Sequence, residues 1–161
     1  MEIPAPESQH KWLKQWIGDW TYEHECSPGP DQPPMKLTGR ETIRAIGDFW
    51  IVGESRGEMP GGIPANMIIT LGYNPSKKRF VGTWIGSMMH HLWIYDGSLD
   101  ETGRILTLNS EGPSFSAENK LSQYKDVFEV KAPDHRILTS HILGDDGKWT
   151  QFMTAHYRRA R

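Results

Sequence analysis

Beyond residue 17, no part of this 161-residue chain carries a helical period. Apolar and polar residues alternate instead, in about ten runs that each end in a turn-forming cluster. The runs are "DWTYEHEC", "MKLTGRETIRAI", "FWIVGESRGE", "ANMIITLGY", "KRFVGTWIG", "HHLWIYDGSL", "RILTLNSEG", "KLSQYKDVFEVKA", "HRILTSHILG" and "WTQFMTAHYRR". Alternation of this kind marks strands with one wetted face. The hydrophobic share of 37% suits such strands better than a buried parallel sheet. A flat sheet of this many strands leaves two unpaired edges, and closure removes them. The expected fold is all-β: a single antiparallel up-and-down β-barrel of about ten strands.

The stretch before the strands differs. "PESQHKWLKQWIG" places Trp12, Leu13, Trp16 and Ile17 at helical spacing, with Pro6 in the first turn and Gly18 as the stop. It reads as a short helix closing one end of the barrel. Residues 1–17 then form an N-terminal extension and capping helix, residues 18–161 the barrel, and residues 1–161 one domain. The connections sort by end. Those beside the helix, "GD", "NPSK", "DETG" and "PD", are short. Those at the far end include "SPGPDQPP", "MPGGIP" and "PSFSAEN", which read as longer, flexible rim loops. Closure also pairs the first strand with the last, which brings Trp20 near Arg158 and Arg159.

The helix, Gly18-x-Trp20, the antiparallel meander and a basic residue ending the last strand together resemble the lipocalin-like (calycin) barrels. In those barrels an arginine of the final strand packs across the tryptophan. The resemblance thus implies that Trp20 is buried at the closed end and stacks with Arg158 or Arg159. Such stacking contributes roughly 0.5–2 kcal/mol. The longer stretches "GESRGEMPGG", "TLGYNPSKKRFVGTWIGSMMHHLW" and "DDGKWTQFMTAHYRR" are similar to a bacterial domain-of-unknown-function family grouped with the calycins. That likeness implies the fold and no established activity. The strand count is nearer to the fatty-acid-binding proteins and the haem-binding nitrobindins. In nitrobindin-like barrels a histidine of the final strand ligates iron. Here "FMTAHYRR" offers His156, while the neighbouring residues equally align Thr154 with that position. His156 lies near the closed end, where a macrocycle lacks room, so no cofactor is expected.

With Trp20 inward, alternation turns Tyr22 and His24 inward and Thr21, Glu23 and Glu25 outward. The end count puts His24 toward the rim. It does the same for Glu54 and Arg56 closing the third strand, Trp84 in the fifth, and His90 and His91 opening the sixth. Glu111 closing the seventh and His141 late in the ninth join them. Trp93 and Tyr124 complete the cavity and rim candidates for ligand binding. His90 and His91 are adjacent, so only one can face inward. A metal centre needs three or four convergent ligands, and no metal is expected. Glu54 and Glu111 are the only carboxylate pair placed for acid–base work. Cys26 shares a face with His24, but nothing supplies an oxyanion hole, and no catalytic residue is assigned. Arg40 and Arg44 share one face of the second strand and Glu41 takes the other. An outer charged ladder is preferred over an internal arginine meeting a ligand carboxylate. Met59, Met67, Met88, Met89 and Met153 suit an adaptable apolar lining.

The formal net charge is −2, which gives no reason to expect nucleic acid or an anionic membrane as a partner. The single cysteine, Cys26, excludes an internal disulfide and fits a reducing compartment. "MEIPAPESQH" does not read as a signal peptide, and no run approaches the roughly 20 apolar residues of a membrane helix. The expected location is cytoplasmic, and a homodimer is an open option. The leading functional expectation is a non-enzymatic binder of a small, largely apolar ligand in the barrel cavity. The alternatives are an enzyme using a rim His or Glu as acid–base on a small hydrophobic substrate, a haem-binding nitrobindin-like barrel, and a filled-barrel interaction module.

Overall fold

A computed structural model describes residues 1–27, 32–115 and 117–161. The chain begins with α1 (Ser8–Leu13), followed by one 3-10 turn (Lys14–Trp16). Pro6 precedes this helix rather than entering its first turn, and Glu7 is the N-cap. Ten strands follow: β1 (Gly18–Cys26), β2 (Met35–Ile46), β3 (Trp50–Met59), β4 (Ile63–Asn74), β5 (Arg79–Gly86), β6 (Trp93–Leu99), β7 (Ile105–Pro113), β8 (Leu121–Ala132), β9 (His135–Leu143) and β10 (Trp149–Arg159). Every neighbour pair is antiparallel, and β1 pairs with β10 to close the barrel. The closing register sets Trp20 opposite Arg159 and Tyr22 opposite Tyr157.

The helix is fastened over one end of the barrel. The Glu7 backbone N–H donates to His10 Nδ1 at 2.8 Å. That makes Nδ1 the acceptor, so Nε2 carries the hydrogen and donates to the Tyr73 carbonyl at 2.9 Å. His10 is therefore a buried peg that ties the helix start to β4. The Trp12 indole N–H reaches the Gly103 carbonyl in the β6–β7 turn at 2.7 Å. Leu13, Trp16, Trp20, Leu71, Phe80 and Leu106 pack beneath the helix as the core of this end.

Two connections differ from expectation. "MPGGIP" is a tight turn of residues 60–62, not a loose rim loop. Gly62 N–H donates to the Met59 carbonyl at 3.1 Å, with Gly61 and Gly62 at φ of 87° and 77°. Only glycine enters that backbone region cheaply, which explains the pair. The sixth strand begins at Trp93 rather than at the histidines. The chain turns after Gly86, where the Met89 N–H donates to the Gly86 carbonyl, and residues 87–92 connect β5 to β6. Of the other two far connections expected as rim loops, residues 28–31 and residue 116 lie outside the described residues.

Candidate functional site

The interior is built upward from the closed end. The Trp20 indole N–H donates to the Trp16 carbonyl at 2.8 Å. The Arg159 guanidinium lies 4.3 Å from the centroid of the Trp20 ring. It donates to the carbonyls of Pro133 (2.9 Å), Ile17 (2.9 Å) and Gln15 (2.5 Å), which binds β10 to the helix and to the β8–β9 turn. Arg159 has the inward parity of Ala155 and Tyr157, whereas Arg158 is exposed on the outer face.

A second guanidinium sits above this floor. Arg136 of β9 is 2% exposed, and its Nη2 donates to Oε1 of Glu41 in β2, which is 4% exposed. Ser55 of β3 donates to the other Glu41 oxygen at 3.0 Å. The Arg136 guanidinium lies 4.4 Å from the Trp20 ring centroid, 4.2 Å from Tyr157 and 5.0 Å from Trp16. Its Nε and Nη1 make no hydrogen bond to any described residue and are buried. Two buried opposite charges in contact offset much of each other's desolvation cost.

Above the ion pair is a cavity of about 280 Å³. Its volume is close to the roughly 300–1,000 Å³ typical of small-molecule sites. Aliphatic walls come from Ile43, Ile51, Ile69 and Leu138, and aromatic ones from Trp84, Trp93, Tyr124, Phe128 and Phe152. The Trp93 ring stands edge to face with Tyr124 at 5.0 Å, and Phe115 meets Phe152 at 5.0 Å. Phe115, beyond β7, is one of the exposed rings of the rim.

Polar groups interrupt this lining in two places. His24 Nε2 and the Tyr157 hydroxyl are 3.0 Å apart. Burial pushes the His24 pKa down to about 4, so the ring is neutral. Burial also raises the Tyr157 hydroxyl well above its usual range, and the Glu41 charge adds to the effect. Two strands further round the wall, Asp126 of β8 accepts hydrogen bonds from the Tyr95 hydroxyl at 2.5 Å and from Ser140 at 2.6 Å. Burial raises the Asp126 pKa, and the two hydrogen bonds oppose that rise. The carboxylate lies deep in the barrel but keeps part of its surface open to the cavity.

The sequence candidates divide between cavity, wall and exterior. His24, Trp84, Trp93 and Tyr124 line the cavity. Tyr22 is buried and points inward, but its ring lies across Gly39 and Gly57 and against His24 at 4.5 Å, below the lining. Glu54 and Arg56 face outward, because Ile51, Gly53 and Ser55 take the inner face of β3; Glu54 meets Arg44 at 3.7 Å. Glu111 also faces outward and accepts from Gln123 at 2.7 Å, since Leu108 and Ser110 hold the inner parity of β7. His141 is outside too, 3.0 Å from the Thr139 hydroxyl, with Leu138 and Ser140 inside. His90 and His91 lie in the β5–β6 connection. His90 is exposed, and His91 sits 2.9 Å from the Glu111 carbonyl. His156 points outward, with its Nδ1 3.0 Å from His135 Nε2.

Glu54 and Glu111 are thus unavailable as an acid–base pair inside the barrel. Among the described residues, no three His, Cys, Asp or Glu side chains are grouped to hold a metal. Arg40 and Arg44 form part of the outer charged face, whereas Glu41 takes the inner one. The interior polar set that sequence reasoning missed is Arg136, Asp126, Tyr95, Tyr157, Ser55 and Ser140. The available signal was their parity: each sits two or four residues from a strongly apolar inward neighbour such as Leu138, Phe128 or Ile51.

The family model described as "Protein of unknown function (DUF1579)" matches residues 5–159. No curated protein matches the chain. Among solved structures, the chain is similar to Rv2717c from M. tuberculosis, at 12% identity and TM-score 0.66, over 98% of this chain and 100% of that one. It is similar to the S-type phycobiliprotein lyase CPES from Guillardia theta, at 12% identity and TM-score 0.64, over 97% and 99%. It is also similar to EF1p2_mFAP2b bound to DFHBI, at 12% identity and TM-score 0.53, over 95% and 100%. At this identity the likeness shows the β-barrel fold.

Proposed function

The chain belongs to the DUF1579 family, and from that footing we propose that it is a non-enzymatic binder of a small, largely apolar molecule held inside the barrel. The observation that carries this reading is the cavity of about 280 Å³, walled by aromatic and aliphatic side chains with a few convergent polar groups. A filled interaction module would have a closely packed interior in its place. That a barrel of similar shape is bound to DFHBI supports the reading. The binding unit is the whole chain, 1–161, and the setting is cytoplasmic, in keeping with the lone Cys26 and the lack, among the described residues, of a helix long and apolar enough to cross a membrane.

The test is native mass spectrometry of protein purified from its own host, with thermal shifts across a library of lipids and aromatic compounds. A retained small molecule, or a library member that raises Tm in proportion to its concentration, is expected. An empty barrel that no compound stabilises overturns the proposal.

A further inference from the structure

The three carboxylate and guanidinium groups that line the cavity do not cancel. Glu41 and Arg136 pair with each other at the floor. Among the described residues, Asp126, on the wall, has only the neutral hydroxyls of Tyr95 and Ser140 as hydrogen-bond donors. None of the ion pairs among the described residues includes it. His24 is neutral, and His141, which acts on Asp126 from the outer face of β9, is itself pushed toward the neutral form by burial and by Lys125. An ionised Asp126 therefore leaves the cavity with one uncompensated negative charge, in surroundings where an unpaired charge is costly. The aromatic walls favour the same sign of partner, because ring faces attract cations. Among the described residues, an anion finds no accessible cation in the lining. The two unpaired nitrogens of Arg136 are inaccessible, beneath the rings of Trp16, Trp20 and Tyr157.

We infer that the occupant of the barrel is a small organic cation, an ammonium with an apolar body, whose charge rests beside Asp126 and whose body lies against Trp84, Trp93 and Tyr124. The inference rests on the binder reading and narrows it to a ligand class. A largely apolar molecule is still required, since most of the wall is hydrocarbon. The single positive charge supplies the partner that the protein withholds from Asp126.

The experiment uses three probes of similar size on the intact protein: benzyltrimethylammonium, its uncharged carbon isostere neopentylbenzene, and 3-phenylpropionate. Binding is read from quenching of tryptophan fluorescence, because Trp84 and Trp93 line the site. The cation is expected to bind at least tenfold tighter than the isostere, with phenylpropionate weakest. In Asp126→Asn the cation falls to the level of the isostere, while neopentylbenzene stays within twofold of its wild-type affinity. The wild-type comparison of cation with isostere needs no variant and stands even if Asp126→Asn does not fold. An isostere that binds as well as the cation overturns the inference and leaves the binder reading intact. So does a cation preference that survives in Asp126→Asn. Tightest binding of phenylpropionate also overturns it and would make Arg136 the anchor. If none of the three binds, the inference fails and the binder reading is weakened with it.

Discussion

At the closed end of the barrel, charged groups are locked to fixed partners; at the mouth, the interior is lined by rings that touch chiefly one another. Arg159 holds three backbone carbonyls and the Trp20 ring, and Arg136 holds Glu41. The turns there are held by their own side chains as well. The Asn74 carboxamide oxygen accepts from the N–H groups of Ser76 and Lys77, and Asp100 accepts from those of Arg104 and Ile105. The far end exposes Ile63, Met89, Leu92, Phe115 and Leu121, against Ile17, Ile46 and Trp50 at the closed end. The contrast teaches that one set of strands can concentrate rigidity at one end and leave adaptable apolar surface at the other. Stability should therefore respond to the closed half, and occupancy to the open half.

The largest effect is expected at the buried ion pair. Arg136→Met strands Glu41 without a cation and should cost about 3–5 kcal/mol by urea denaturation. The double variant Glu41→Leu/Arg136→Met should recover most of that loss, because the charge left behind is what destabilises. A single variant that costs under about 1 kcal/mol would place the closed end on the same footing as the mouth.

A pH titration sharpens the comparison at mid-barrel. His24 titrates near 4 in the folded chain, against about 6.5 when unfolded. As pH falls from 6.5 to 4, the unfolded chain takes up this proton first. Stability should drop across that window by up to about 3 kcal/mol from this residue. His24→Gln removes the titration, so its stability should fall less steeply over the same window. Parallel curves for the two proteins would show that His24 is not the buried neutral group described.

The smallest effect is expected at the rim. Phe115 is 69% exposed, and Phe115→Ala should change stability by less than about 0.5 kcal/mol. A loss near that of Arg136→Met would erase the distinction between the two ends.

Local pattern carried much of this molecule. The period-two runs set ten strands, and the inward placement of Trp20 carried Tyr22 and His24 with it through strict alternation, whereas "MPGGIP", expected as a loose rim loop, is a tight turn. In β3 the same rule stalled: Ile51, Gly53 and Ser55 on one face and Val52, Glu54 and Arg56 on the other both mix apolar with polar residues. Alternation defines two faces without saying which is inside. Packing decided, by turning Ile51 into the core and Ser55 toward Glu41. The histidines of "MMHHLW" escaped the rule altogether, since they belong to a turn. The internal electrostatics lay furthest beyond the sequence. Glu41 meets Arg136 across 95 positions, and Tyr95 meets Asp126 across 31. The sequence determined the strands, the capped end and the alternation within each strand, because these depend on neighbours along the chain. Only the tertiary structure decided which polar groups share the cavity, because closing ten strands with a particular stagger sets which inward residues face one another across the interior.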